Sequence, residues 1–184
     1  FGYETYFMNL SLEKELMHRY NERICEAHLQ NLKNYLSAVG EYIDVIQFGD
    51  DLGMQNSTQI SVSMYREMIK PYHKTLFQYV KKHYPRVKVF LHSCGSIRPL
   101  IGDLIDAGVE ILNPIQISAA DMDPKDLKRE FGKALVFWGG GVSTQTTINT
   151  GTLDEIQRSV RENMEIFAPG GGYVFTQIHN FQAG

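Results

Sequence analysis

Val87-Lys-Val-Phe-Leu-His-Ser-Cys-Gly95 is the stretch on which the fold turns. Val87, Val89 and Leu91 share one face of an extended chain, and Phe90 lies on the other. Apolar residues on both faces mark a strand buried in a parallel sheet. Small polar residues and Gly95 then carry the chain out into a loop. Residues two apart point the same way, so His92 and Cys94 face one side of the strand end. Imidazole and thiolate are favoured zinc ligands, which makes this pair a candidate metal site.

The pattern repeats outward from this strand. Before it, apolar residues at steps of three and four predict a long helix over residues 12–38. Its apolar face is expected at Leu12, Leu16, Tyr20 and Ile24, then Leu29, Leu32 and Leu36, with Gly40 as C-cap. Residues 42–48 read as a strand and residues 49–53 as its exit loop. A helix over residues 63–83 contains Pro71, so a kink or break is expected there. Residues 86–91 form the quoted strand. Ser96 then caps a helix that runs to Ala107, with Gly108 just past its end.

Residues 110–114 are a short strand. Asp123 caps a helix with Pro124 in its first turn and Gly132 at its end. Residues 135–138 are a strand opening into Gly139-Gly-Gly141. Thr152-Leu-Asp-Glu155 is a capping box, starting a helix with Ile156, Val160, Met164 and Phe167 on one face. Gly170-Gly-Gly172 leads into the last strand, residues 173–176. Strict alternation of strand and helix predicts an α/β protein with a parallel sheet. Five strands fit either the C-terminal part of a (β/α)8 TIM barrel, which needs ~250 residues when complete, or an open doubly wound sheet. No Gly-x-Gly-x-x-Gly follows the first strand, which weighs against dinucleotide binding.

The 184 residues suffice for one domain, read here as residues 1–184. With 43% hydrophobic and 21% charged residues the composition is that of a globular protein. A net charge of −3 and the lack of any long basic run argue against nucleic acid as a partner. No apolar run approaches the ~20 residues of a membrane span. Two cysteines, Cys25 and Cys94, do not make a disulfide framework, and a cytoplasmic location is expected. The chain opens on Phe1 as if within a domain, so N-terminal strands are expected upstream. Open edges of such a sheet favour pairing with another chain, as in a homodimer.

Chemistry-bearing residues collect at the strand ends, which in a barrel converge on one mouth. His92 and Cys94 need a third metal ligand. His179, after the last strand, is the first candidate, and Asp50 or Asp51 the next. Asp50 and Asp51 are also candidate catalytic acids, though adjacent carboxylates point to opposite sides. Asn113, Gln116, Trp138 and Gln177 are candidate substrate contacts. Gly140, within Gly139-Gly-Gly141, is another, because loops at this place in a barrel bind phosphate through backbone N–H groups. A tight turn needing positive φ is the plainer alternative there. Gly170-Gly-Gly172 precedes a strand and is expected to be structural. Arg98 is expected to be a solvated first-turn residue.

Phe48-Gly-Asp-Asp-Leu-Gly53, Tyr65-Arg-Glu-Met-Ile-Lys-Pro-Tyr-His73, His92-Ser-Cys-Gly95, Ile111-Leu-Asn-Pro-Ile-Gln116, Phe137-Trp-Gly-Gly-Gly141 and Gly170-Gly-Gly-Tyr-Val-Phe175 occur in this order. As a set they resemble the uroporphyrinogen decarboxylase superfamily, including its corrinoid-dependent methyltransferases. The resemblance implies a (β/α)8 barrel of which this chain supplies about five strands. In the methyltransferase branch a His-x-Cys and a later Cys bind zinc, which activates a thiol that exchanges a methyl group with a corrinoid. His92 and Cys94 match the first part. Where the later Cys would fall the chain has Thr176-Gln-Ile-His179, and His179 resembles the His that true decarboxylases carry there. The expected function is therefore zinc-dependent methyl transfer between a corrinoid, carried by a partner protein, and a small-molecule thiol or similar acceptor. The alternatives are a carboxy-lyase of tetrapyrrole biosynthesis and a non-catalytic corrinoid- or metal-binding barrel.

Overall fold

A computed structural model describes residues 2–180. In chain order the elements are α1 (Tyr3–Leu12), α2 (Lys14–Val39), β1 (Val45–Gly49), α3 (Val62–Met68), α4 (Lys70–His83), β2 (Lys88–His92), α5 (Arg98–Ala107), β3 (Ile111–Asn113), α6 (Pro124–Phe131), β4 (Val136–Trp138), α7 (Thr147–Thr150), α8 (Leu153–Phe167) and β5 (Tyr173–Val174). The five strands form one sheet in the order β1-β2-β3-β4-β5. β2 runs parallel to β3 with Phe90 opposite Ile111 and His92 opposite Asn113. β3 and β4 pair in parallel, as do β4 and β5.

Strand order settles the choice between the two expected folds. A doubly wound sheet reverses its order at a switch point. Here each strand is followed by its sequence neighbour without reversal, which is the order of consecutive barrel strands. The fold is α/β and corresponds to part of a TIM barrel. Among the described residues no helix is long and apolar enough to cross a membrane.

The chain divides into two compact units. The first runs to Ile46 and includes Ile60–Val89 and Gly102–Val109. Its core holds Leu10, Met17, Leu36, Tyr65, Met68, Phe77 and Val80. The expected apolar face of the first helix is corrected here. Leu32 and Leu36 are buried as expected, but Leu12, Leu16, Tyr20 and Ile24 are exposed, and Met17, Asn21 and Cys25 are buried in their place. Two rows one residue apart both repeat every four residues, and hydropathy favours the wrong one because the buried row contains Asn21. That amide is satisfied: it donates to the Met68 carbonyl at 3.0 Å and accepts from the Tyr6 hydroxyl at 3.2 Å. The helix itself forms as expected, as α2, and the break at Glu13, φ −127°, separates it from α1, which was not expected.

The expected break near Pro71 occurs at Ile69, φ −121°. Pro71 falls in the first turn of α4, where an amide N–H has no helical partner to lose. Asp103 ties α3 and α4 to α5. It accepts from Arg66 Nε at 2.8 Å and Lys70 Nζ at 2.7 Å, and Lys70 also reaches Asp106 at 2.9 Å. Burial alone would raise the Asp103 carboxyl, but the hydrogen bonds from Lys70 and Arg66 outweigh it and hold it below its ordinary value.

The second unit comprises Gln47–Gln59, Phe90–Ile101 and the chain from Glu110 onward. Leu91, Leu112, Leu127, Phe137 and Phe167 are fully buried. Asp123 caps α6 by accepting from the Asp126 N–H at 3.0 Å. Thr152 and Glu155 form both halves of the capping box on α8. Helix α5 begins at Arg98, beyond the expected Ser96 cap, and the one-turn α7 was not expected.

Candidate metal centre

Three ligand-type side chains meet where β1 and β2 end. Oxygen of Asp51, ring nitrogen of His92 and sulfur of Cys94 all lie within 4.8 Å of one another. His92 Nε2 is 3.3 Å from Cys94 Sγ and 3.9 Å from Asp51 Oδ1. His179 approaches from the end of the described chain, its Nδ1 4.0 Å from Cys94 Sγ. Of the adjacent acids, Asp51 joins the group. Asp50 is half-buried, and its N–H donates to the His92 carbonyl at 3.0 Å.

The tautomer of His92 follows from its neighbours. Asn113 Nδ2 donates to the Trp138 carbonyl at 2.8 Å, which turns Asn113 Oδ1 toward His92 Nδ1 at 2.6 Å. A carboxamide oxygen only accepts, so Nδ1 carries the proton and Nε2 presents a lone pair to Cys94 and Asp51. This is how metal-bound imidazoles are usually held. The register that sets His92 opposite Asn113 makes the contact possible.

The Cys94 thiol is pushed up to about 12, first by burial and then by the charge and hydrogen bonding of Asp51. Without a cation it is a neutral thiol at pH 7. Burial lowers His179, the nearby His92 adds to this, and Asp51 opposes it, leaving the ring below its ordinary value. The imidazole of His92, the thiol of Cys94 and the carboxyl group of Asp51, with His179 beside them, form a donor set that suits zinc. Zinc bonds of about 2.0 Å to nitrogen and about 2.3 Å to sulfur place such atoms roughly 3.5 Å apart in a tetrahedron. The 3.3 Å from His92 Nε2 to Cys94 Sγ and the 3.9 Å from His92 Nε2 to Asp51 Oδ1 are near that spacing, while His179, 4.0 Å from Cys94 Sγ, lies outside the three-residue group.

The turn that carries Cys94 needs glycine. Gly95 has φ +87°, and a Cβ there would lie 2.5 Å from the Gly53 carbonyl carbon. A Cβ on Gly53 would meet the Cys94 carbonyl oxygen at 2.5 Å, so the two glycines let the loops touch.

Beside the group lies an open cavity of about 740 Å³. His92, Asn113, Gln177 and His179 line it, together with Thr144, Gln145, Asn149, Thr176, Ile178 and Asn180. Gln177 thus stands where a ligand contact was expected, with its Oε1 accepting from Thr176 Oγ1 at 2.9 Å. Gln116 instead is 4% exposed and bonded to protein on both amide atoms. Trp138 packs edge-on against Phe90 at 5.4 Å and is not among the lining residues.

Gly139, Gly140 and Gly141 form no anion nest. Their N–H groups donate to the carbonyls of Val174, Pro114 and Thr176 at 3.0, 2.9 and 3.0 Å, leaving none for phosphate. Gly140, at φ +66°, is a turn residue. Arg98 is not a free solvated residue, since it pairs with Asp126 at 3.5 Å and Glu130 at 3.0 Å. The segment at residues 144–149, which runs into α7, was not foreseen as a pocket wall. Its run of Thr, Gln and Asn after the glycines was the available signal.

A solved methyltransferase from Methanosarcina mazei matches with a TM-score of 0.72 at 20% identity, over 97% of this chain and 48% of its own. The likeness is one of fold, and the chain spans about half the length of that structure. A search of curated proteins finds no match. The uroporphyrinogen decarboxylase (URO-D) family model matches residues 2–183. The chain belongs to the uroporphyrinogen decarboxylase family.

Proposed function

We propose that this chain forms the zinc-bearing part of a methyltransferase that moves a methyl group between a corrinoid, carried by a partner protein, and a thiol. The observation that carries this reading is the cluster of His92, Cys94 and Asp51, with the lone pair of His92 Nε2 turned inward by Asn113. The fold neighbour named as a methyltransferase supports the same direction. His92 and Cys94 would be ligands, with His179 or Asp51 as the third, leaving a position open toward the cavity. Zinc bound there would strip the proton from a substrate thiol at neutral pH and leave a thiolate.

The chain's own groups do the rest. Asp51 accepts from the Cys94 N–H at 2.9 Å and so holds the cysteine in place. His179, with Nδ1 4.0 Å away, closes one side of the sulfur. Thr, Asn and Gln side chains offer hydrogen bonds to the substrate. None of the described residues lining the cavity is Lys or Arg. An acidic tetrapyrrole brings many carboxylates, which are recognised chiefly by such cations. The described lining offers such carboxylates no Lys or Arg, and the methyl-transfer reading rests on the metal-type cluster.

The test uses the full-length protein, methylcobalamin and a panel of small thiols. Transfer forms an S–CH3 bond and breaks the Co–CH3 bond, with the bonding electron pair staying on cobalt and the thiol proton passing to buffer. Cob(I)alamin should appear in the absorption spectrum, and Cys94→Ala should abolish it. Carbon dioxide release from uroporphyrinogen without methyl transfer would overturn the proposal in favour of the lyase.

A further inference from the structure

The turn at the metal-type cluster has an unusual degree of anchoring. Four consecutive N–H groups each have a partner. Ser93 donates to the Asn113 carbonyl at 2.8 Å, Cys94 to Asp51 Oδ1 at 2.9 Å, Gly95 to Gln116 Oε1 at 2.8 Å and Ser96 to the Met54 carbonyl at 2.8 Å. Two of these acceptors are backbone and two are side chains. Asp51 belongs to the cluster itself. Gln116 does not, and its place needs a separate explanation.

Gln116 is buried and fully engaged. Its Oε1 takes the Gly95 N–H, and its Nε2 donates to Gln55 Oε1 at 3.0 Å and to Gln145 Oε1 at 3.2 Å. Gln145 Oε1 also accepts from Ser118 Oγ at 2.7 Å, and Gln55 donates to the Ser118 carbonyl. These partners fix which way the Gln116 amide points. Turned over, its oxygen would face two other amide oxygens and its NH2 would face the Gly95 N–H. A buried polar network of this kind specifies one arrangement when every member is satisfied.

We propose that Gln116 is a positioning residue: it acts through the Gly95 N–H to hold the turn that aims Cys94 at the metal position. Its effect on zinc rests on the zinc reading above, whereas its effect on the turn does not. Methionine at this position keeps the length of the side chain and removes the acceptor. In the full-length protein Gln116→Met is expected to weaken zinc binding roughly 10–100-fold, as loss of a group supporting a ligand does. It should also shift the sulfur-to-metal absorption of the cobalt(II)-substituted protein. Gln116→Glu, which keeps an oxygen for the Gly95 N–H but loses the donor to Gln55 and Gln145, should recover affinity and spectrum part of the way toward wild type.

Hydrogen exchange of the metal-free protein gives a second readout. The amides of residues 93–96 should exchange about tenfold faster in Gln116→Met, the factor expected for losing one hydrogen bond of about 1.4 kcal/mol. Gln145→Ala, at an exposed position, removes only one outer partner and should speed exchange by roughly two- to tenfold without risk to the core. Unchanged exchange in both variants overturns the proposal, as does unchanged zinc affinity and cobalt spectrum in a wild type that binds zinc. A wild type that binds no zinc removes the metal reading alone, and the exchange result still decides the role of Gln116.

Discussion

Replacing Asn113 with leucine tests the orientation of His92. The two side chains have the same number of heavy atoms and the same branching, so no cavity is expected. The change deletes the 2.6 Å contact to His92 Nδ1 and the 2.8 Å bond to the Trp138 carbonyl. Without the Asn113 oxygen, either ring nitrogen can carry the proton, and the Nε2 lone pair is no longer enforced. Loss of such a supporting group typically lowers metal affinity roughly 10–100-fold, or about 1.4–2.7 kcal/mol. Two hydrogen bonds at about 1 kcal/mol each also lower stability by about 2 kcal/mol, a Tm drop of about 4–8 °C at this size. Competition with a chromophoric chelator measures the first, and thermal unfolding of the metal-free protein the second. Zinc affinity within twofold of wild type, alongside the expected Tm loss, would refute the claim that Asn113 sets the ligand state of His92.

Other perturbations follow from the same geometry. Because the metal-free Cys94 thiol lies at about 12, binding must displace its proton, so calorimetry in several buffers should show about one proton released per zinc and an affinity that rises with pH; no release would exclude Cys94 as a ligand. Gly95→Ala should abolish zinc binding and cost at least about 1–3 kcal/mol, since φ +87° and the 2.5 Å approach to Gly53 leave no room for a methyl group; a wild-type Tm would contradict this. Asp103→Asn should destabilise by about 1.5–3 kcal/mol at pH 7. Its folded carboxyl sits below the ordinary value, so the difference from wild type is fully present above the unfolded value near ~3.9 and fades as pH falls through the folded value. Denaturant titrations across pH 2–7 would show this convergence, and a pH-independent difference would contradict it. Thr152→Ala removes half of the capping box and should cost about 1 kcal/mol, seen as a Tm lower by about 2–4 °C.

What the sequence makes legible is local. The caps at Asp123 and Thr152 rest on contacts three residues apart, and both form as read. His92 and Cys94 share a face because strand geometry has a period of two, and their atoms are 3.3 Å apart. Alternation of elements was enough to call for a parallel sheet, but its sequential order, which separates a barrel segment from a doubly wound sheet, is a tertiary fact. The first helix shows the limit most clearly. Ile24 and Cys25 are neighbours on equally periodic rows, and only the Met68 carbonyl and the Tyr72 backbone decide that Asn21 and Cys25 turn inward.

The site divides along the same line. Asn113 lies 21 residues from His92, and Gln116 lies 21 residues from Gly95. Asp51 reaches Cys94 across 43 residues. Each of these was visible as a polar residue near a strand end. None showed from spacing whether it would face a ligand or hold another residue. The glycines after β4 left phosphate binding and a tight turn both open, because composition cannot reveal that neighbouring carbonyls already take their N–H groups.

Metal analysis of the full-length protein, purified without chelator and combined with X-ray absorption at the zinc edge, tests the central claim most directly. About one zinc per chain is expected, with one sulfur and the remaining ligands nitrogen or oxygen, and with the sulfur contribution lost in Cys94→Ser. Less than about 0.2 zinc per chain, or a zinc whose shell is unchanged by Cys94→Ser, would contradict it.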